Sequence, residues 1–347
     1  MRFRNIALVA AVAACGVVAW TNTASAVGNC SANGNATTYA SSCSGNTVKA
    51  GSEVASAATL RAAATQTGGL ISQRISSIAA PAATRLASTP NENGIAGGDK
   101  DYGIGFWANG GLTSISVNDP GANFGGRTAT AMSGVDYRVT NDVIVGVAGG
   151  YEYSPLRTYF NNGKLTGSGA TVAPYAVYMF NKNYSVDITG GYSWLNYTML
   201  RKDPLTNNSI TSKTNAGRSF GAIDLNGNWA EDAWRFGARA GTVVANEKKN
   251  AFTESDGTAV ASRSTTVGQI LAGGRVGYNI LDVVEPFGRV TYRHNYGAGG
   301  GGNDVVVGGG TDLFIGSLMI GSLEYSDAFG QARRSERTVN GTVRFQF

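Results

Sequence analysis

The segment Thr338-Val339-Asn340-Gly341-Thr342-Val343-Arg344-Phe345-Gln346-Phe347 divides cleanly by parity. Val339, Val343, Phe345 and Phe347 fall on one face, with Gly341 the weak member. Thr338, Asn340, Thr342, Arg344 and Gln346 fall on the other. A period of two marks a β-strand whose faces meet different surroundings. A water-soluble sandwich would turn the apolar face inward. A barrel in lipid would turn it outward and leave Arg344 in a polar interior.

The same alternation recurs upstream in eleven segments from residue 101 onward, making twelve with the terminal one. The clearest is Tyr184, Val186, Ile188, Tyr192 and Trp194 against Ser185, Asp187, Thr189 and Ser193. Others set Val135, Tyr137 and Val139 against Asp136 and Arg138; Val143 to Tyr153 against Glu152; and Trp234, Phe236 and Ala238 against Arg235 and Arg239. Further on, Val276 and Tyr278 oppose Arg275; Val290 and Tyr292 oppose Glu285, Arg289 and Arg293; Leu323 and Tyr325 oppose Glu324. The polar face thus carries Asp136, Glu152, Asp187, Arg235, Arg239, Arg275, Glu285, Arg289, Arg293, Glu324 and Arg344. So many ionisable groups would burden a dry sandwich core heavily, whereas a wet lumen accepts them. Connections alternate in length. Short turns lie near Asn141, Lys182, Glu231, Asp282 and Gly316, and longer loops are expected near 118–126, 158–166, 200–212, 246–262, 296–302 and 330–335. Short turns at one end and longer loops at the other are the habit of outer-membrane barrels. Lipid offers no hydrogen bonds to an open sheet edge, so the sheet must close. The expected fold is all-β: a closed antiparallel transmembrane β-barrel of about 12 strands spanning 101–347.

The other end of the chain agrees. Residues 1–26 have a basic start (Arg2, Arg4), an apolar run from Ile6 and a small-residue site at Ala24-Ser25-Ala26, the features of a secretory signal peptide. Val12-Ala13-Ala14-Cys15 also fits lipidation at Cys15. Residues 27–50 form a short polar stump in which Cys30 and Cys43 could form a disulfide, which an exported compartment permits; a plain tail with two incidental cysteines reads equally well. Residues 51–100 hold a helix and linker. Apolar positions at three- and four-residue intervals predict a helix over Ser52 to Ile78, weakened at Gly68-Gly69 and ended by Pro81. Its small side chains suit a narrow lumen. There Arg61 and Arg74 would plug the barrel facing acidic partners such as Asp136, Glu152 and Asp187; a linker or periplasmic helix is the alternative.

Together these features resemble the autotransporter β-domain family, over roughly Ser52 to Phe347. Val135-Asp136-Tyr137-Arg138, Gly190-Gly191-Tyr192, Phe236 to Gly241 and Val339 to Phe347 carry the resemblance. It implies a helix inside a twelve-strand outer-membrane barrel and export of an N-terminal passenger. It also implies a terminal strand whose Val339, Val343, Phe345 and Phe347 are the signal read by the barrel insertion machinery. The sequence departs from the family in leaving only about Val27 to Ala50 as passenger. A small porin-like protein with a helical plug is therefore the alternative to a translocator. The expected surroundings are outer-membrane lipids and lipopolysaccharide, with the chain a monomer.

Enzyme chemistry finds little support. His294 is the single histidine and falls on the apolar face near a rim. A general base needs a nucleophile and an orienting group within reach, and no motif supplies them. A hydrolase assembled from distant Asp and Ser is the weakest of the three readings. No metal spacing or cofactor motif is present. The net charge of +5 is scattered, so nucleic acid is not an expected partner.

Overall fold

The computed structural model describes residues 60–67, 69–71, 103–118, 123–203, 206–298, 302–315 and 319–346. Twelve long strands close into one antiparallel barrel: β1 (Ile104–Val117), β2 (Phe124–Arg138), β3 (Val143–Thr158), β4 (Gly163–Met179), β5 (Tyr184–Lys202), β6 (Ser209–Glu231), β7 (Trp234–Lys249), β10 (Arg263–Tyr278), β11 (Val284–Gly297), β12 (Gly302–Ile315), β13 (Met319–Phe329) and β14 (Arg334–Gln346). A two-stranded hairpin, β8 (Phe252–Thr253) and β9 (Ala259–Val260), interrupts the series. Each barrel strand pairs with its sequence neighbours, β7 pairs with β10 past the hairpin, and β14 returns to β1 from Gly105↔Gln346 to Val117↔Arg334. Every edge is thus consumed, as a lipid-embedded sheet requires.

Outward side chains explain where lipid lies. One tier of aromatics collects at the short-turn end: Tyr137, Tyr178, Phe180, Trp234, Phe236 and Tyr278 are all exposed. Trp234 stacks on Phe236 and meets Tyr278 edge-on with ring centres 5.0 Å apart. A second tier holds Tyr151, Tyr153, Tyr192, Trp194, Tyr292 and Tyr325. Tyr184 and Trp194 are ten residues apart on β5. That separation is about 33 Å along the strand, or about 25 Å across the wall at a tilt of about 40°. This matches the height of an apolar band between two aromatic girdles.

Beyond the second tier the alternation inverts. On β5 the outward positions become Asn196 and Thr198, while Leu195, Tyr197 and Met199 are buried inside. On β1 outward Leu112 gives way to Ser114 and Ser116, opposite buried Ile115 and Val117. The barrel has left the lipid: its outside meets water, so its inside becomes the dry side. Ile115, Val117, Phe124, Leu156, Leu165, Leu195, Tyr197 and Met199 form one apolar cluster, covered by Phe252 of the hairpin. Each fully buried aliphatic chain contributes about 1.5–3 kcal/mol.

This inversion corrects the expected loops. The stretches 158–166 and 200–212 are mostly strand, because β4 begins at Gly163 and β6 at Ser209. The connections shrink to 159–162 and 203–208, and 250–262 is the long one. At the short-turn end the connections are 139–142, 180–183, 232–233 and 279–283.

Candidate functional site: the plugged lumen

Helix α1 (60–67 and 69–71) lies inside the barrel. Leu60, Arg61, Ala62, Ala63, Ala64, Leu70 and Ile71 are all buried, so the helix is enclosed on every side. Small residues make this possible on the helix, and glycines on the wall. Trp107 lies over Gly134, where an added Cβ would come 2.6 Å from the indole, and Tyr175 covers Gly146 in the same way. These rings pack with Leu60, Ala64, Leu70 and Ile71 in one cluster. Their polar ends are satisfied in series: Trp107 Nε1 donates to Tyr175 Oη (2.8 Å), and Tyr175 Oη donates to Asp136 Oδ2 (3.1 Å).

Specific hydrogen bonds fix the direction of α1. Arg61 Nη2 donates to the carbonyls of Ala298 (3.1 Å) and Tyr296 (3.5 Å), at the hairpin end. Thr65 Oγ1 reaches Gln269 Oε1 on β10 (2.8 Å), and Thr130 Oγ1 on β2 donates to Gln66 Oε1 (3.1 Å). Asn109 Nδ2 on β1 donates to the Leu70 carbonyl (2.9 Å). The helix therefore runs from the hairpin end towards the turn end. Arg74, Gly68, the rest of the predicted helix, Cys30, Cys43 and Phe347 lie outside the described residues.

Two sets of charges surround the plug. Towards the hairpin end, Arg218 is almost wholly buried. Its Nη1 donates to Glu152 Oε2 (2.6 Å), its Nη2 and Nε to Glu247 Oε2 (2.9 and 3.1 Å), and Tyr197 Oη also donates to Glu247 (2.9 Å). On the other side Arg293 donates to Asp304 (2.5 Å) and Glu336 (2.9 Å), with Arg334 also on Glu336 (2.6 Å). Asn295 joins Asp304 to Gln269 (3.0 and 2.5 Å), and Gln269 in turn meets Thr65 of the helix.

Towards the turn end the lumen opens into a cavity of about 330 Å³, lined by Asp224, Arg239, Arg275, Arg289, Asp312 and Glu324 among others. Arg239 takes Asp224 bidentately at 2.8 Å, Arg275 takes Asp312 (2.7 Å) and Glu285 (3.0 Å), and Arg289 takes Glu324. Asp187 accepts from Asn226 Nδ2 (2.7 Å). Arg235 sits at the rim, donating to the carbonyls of Asp232 (2.6 Å) and Trp234 (3.0 Å), and buried Arg344 lines the same cavity.

Several of these groups carried no clear sequence signal. Arg218 lies between Gly217 and Ser219, so nothing greasy marks the opposite face. Glu247, Asp304 and Glu336 lie where the alternation is inverting or ending. Asp224 and Asn226 share inward parity on β6 with Arg218, and Ile223 and Leu225 beside them were the one available cue. His294 is exposed on the outer face, with Nδ1 2.7 Å from Asn303 Oδ1. Val339, Val343 and Phe345 are exposed on the outer face of the closing strand. Among the described residues, no group of three or more His, Cys, Asp or Glu could hold a metal ion.

A family model described as the autotransporter β-domain matches residues 106–316. Among solved structures the chain is similar to the translocator domain of autotransporter NalP from Neisseria meningitidis. That match has a TM-score of 0.63 at 14% identity and covers 71% of this chain and 89% of that one. It is similar to the β domain of the Bordetella autotransporter BrkA, with a TM-score of 0.63 at 18% identity over 71% of this chain and 100% of that one. The transport unit of autotransporter AIDA-I from Escherichia coli follows, at 0.50 and 15% over 76% and 95%. No curated protein sequence matches the chain.

Proposed function

The chain belongs to the autotransporter β-domain family, and on that premise we propose that this outer-membrane barrel carries the segment preceding α1 to the cell surface, or anchors it there. The observation that supports this most directly is the direction of α1. Arg61 lies at the hairpin end and Leu70 deeper in the lumen, so the chain before Leu60 approaches from the hairpin end. With the short turns in the periplasm, that end faces outward. Residues 1–26 then serve as the export signal and 27–50 lie at or beyond the surface, where Cys30 and Cys43 could close a loop.

The luminal carboxylates and arginines, from Asp136 and Glu152 to Arg344, hold the plug and line the route. The barrel acts as a monomer, surrounded by outer-membrane lipid with lipopolysaccharide at its outer edge. Val339, Val343, Phe345 and Phe347 act as the mark read by the insertion machinery. Deleting Phe347 should then lower assembled barrel more than Gln346→Ala does; equal effects would remove this role.

The deciding experiment is a tag placed before Ser52. Labelling on intact cells supports the reading. Labelling only after the outer membrane is permeabilised would refute it. A second reading, a small porin-like channel stoppered by α1, is favoured by the 330 Å³ cavity that borders the helix at Ala62, Thr65, Gln66 and Gly69. Deleting residues 27–83 should raise single-channel conductance in planar bilayers under either reading, and unchanged conductance would defeat the plug itself.

A further inference from the structure

Just beyond the upper aromatic tier, one sector of the outer wall changes from apolar to cationic. On β14 outward Val339 is followed by Arg337; on β2 outward Ala129 is followed by Arg127; on β3 Tyr153 is followed, four residues on, by Arg157; on β4 Lys164 heads the strand. All four cations are exposed. The strand register groups them in two pairs. Arg157 is the direct cross-strand partner of Lys164. Arg127 and Arg337 flank Ser114 of β1 from its two sides, about 10 Å apart at two strand spacings.

Like charges placed directly opposite on a sheet destabilise it, yet Arg157 and Lys164 have no hydrogen-bond or ion-pair partner among the described residues, and neither has Arg127. Among the described residues the one carboxylate in the sector is Asp327, 3.3 Å from Arg337, whose side chain stays 63% exposed. Between and around the cations the outward positions include the hydroxyls Ser114, Ser116, Thr166 and Ser168, with Pro155 beside them on β3. The opposite end of the barrel has the reverse bias, with Asp142, Asp232 and Asp282 exposed in its turns and Glu231 at the end of β6, against exposed Lys182. A sector that is cationic, hydroxyl-rich and seated on the apolar boundary meets lipid headgroups rather than soluble partners. Two cation pairs call for more than one phosphate.

We propose that Arg337, Arg127, Arg157 and Lys164, across β14 to β4, form a binding site for a lipid headgroup carrying two or more phosphates in the outer leaflet. The inference rests on the outward orientation of the hairpin end. Each cation offers a phosphate oxygen a charge-assisted hydrogen bond, and the bound anion relieves the repulsion between Arg157 and Lys164. Each surface cation contributes about fivefold to the affinity for anionic lipid.

The test is native mass spectrometry of the full barrel, refolded in phosphatidylcholine vesicles, extracted in non-ionic detergent and titrated with a diphosphorylated disaccharide lipid. The natural sequence should prefer that lipid over phosphatidylcholine. Arg157→Gln with Lys164→Gln should weaken it about 25-fold, while Arg157→Lys with Lys164→Arg should keep it. Unchanged binding in the Gln variant would overturn the site. Displacement of the lipid by inorganic phosphate at equal concentration would overturn the lipid assignment. Should the Gln variant fail to fold, salt titration of the natural sequence decides: binding that survives high salt refutes an electrostatic site. A barrel that is folded, as faster migration unheated than boiled on a denaturing gel would show, but has no lipid preference refutes this inference alone. A surface tag reachable only from the periplasm would instead refute the orientation beneath it.

Discussion

Arg218 and Arg275 are both luminal arginines held between two carboxylates, yet they sit in different media. Arg218, between Glu152 and Glu247, has 2% of its side chain exposed; Arg275, between Glu285 and Asp312, has 31%. The first lies beside the apolar cluster of the hairpin end, whose Tyr197 donates to the same Glu247. The second borders the cavity of the turn end. In the dry half a charge depends on its protein partners alone, whereas in the wet half water can substitute for them. The same residue types therefore serve as a structural lock at one end and as the lining of an aqueous vestibule at the other.

The largest expected effect tests the lock. Arg218→Met leaves Glu152 and Glu247 buried without their cation and should destabilise the refolded barrel by about 3–5 kcal/mol, read from urea unfolding in vesicles. A loss below about 1 kcal/mol would mean that water reaches this site and that the two halves do not differ. Next comes the packing around it. Leu195→Ala removes a buried chain from the same cluster and should cost about 2–3 kcal/mol. Val147→Ala, on the lipid face of β3, should cost less, since lipid fills the space. Equal losses would remove the claim that the hairpin end has a protein-like core.

This contrast also explains what could be read from the residues alone. β5 was legible from Tyr184 to Trp194, because aromatics and Val mark one face and Asp187 the other. The closed antiparallel barrel and its strand number follow from that pattern repeated, and the helix before it from apolar positions three and four residues apart. Past Trp194 the rule reverses, and a reading that expects apolar residues outward sees only an irregular polar stretch. Hence Leu200 to Lys202 and Ser209 to Ser212 passed for loop, and Glu247 fell in a presumed loop. Arg218 was missed for another reason: its outward neighbours Gly217, Ser219 and Gly221 carry no greasy mark. Arg239, flanked by Ala238 and Ala240 and following Trp234 and Phe236, had one. The pairing of Arg218 with Glu152, 66 positions away, depends on barrel curvature, which no local pattern encodes.

The wet half supplies the third prediction. Arg275→Ala should cost about 1 kcal/mol or less, because Asp312 and Glu285 can take water from the adjoining cavity. High salt should shrink even that difference. Urea unfolding of the natural and variant barrels at low and high salt checks both statements. A loss as large as that for Arg218→Met would show the vestibule to be as dry as the lock, and the comparison would fail.

The smallest effect lies outside the membrane, in the hairpin that covers the dry end. Arg201 Nη2 binds Glu254 (2.5 Å) and Asp256 (3.1 Å), and the Thr258 backbone N–H donates to Asp256 Oδ1 (2.9 Å). That backbone hydrogen bond, more than the charge of Arg201, holds the Asp256 carboxyl below its ordinary value. A folded-state value below the unfolded one means that the ionised form is favoured by folding. Its contribution is complete above the ordinary aspartate range of about 3.9. It fades as pH falls through the lower folded value. The protection factors of the amides at residues 252–260, that is, exchange corrected for its intrinsic pH dependence, should therefore fall on acidification below that range while strands β4 to β7 stay protected. Asp256→Asn keeps the side-chain acceptor and loses the charge, so it should abolish the pH dependence and leave exchange near neutrality only slightly faster. An unchanged acid response in Asp256→Asn would refute the assignment of the hairpin's acid sensitivity to Asp256.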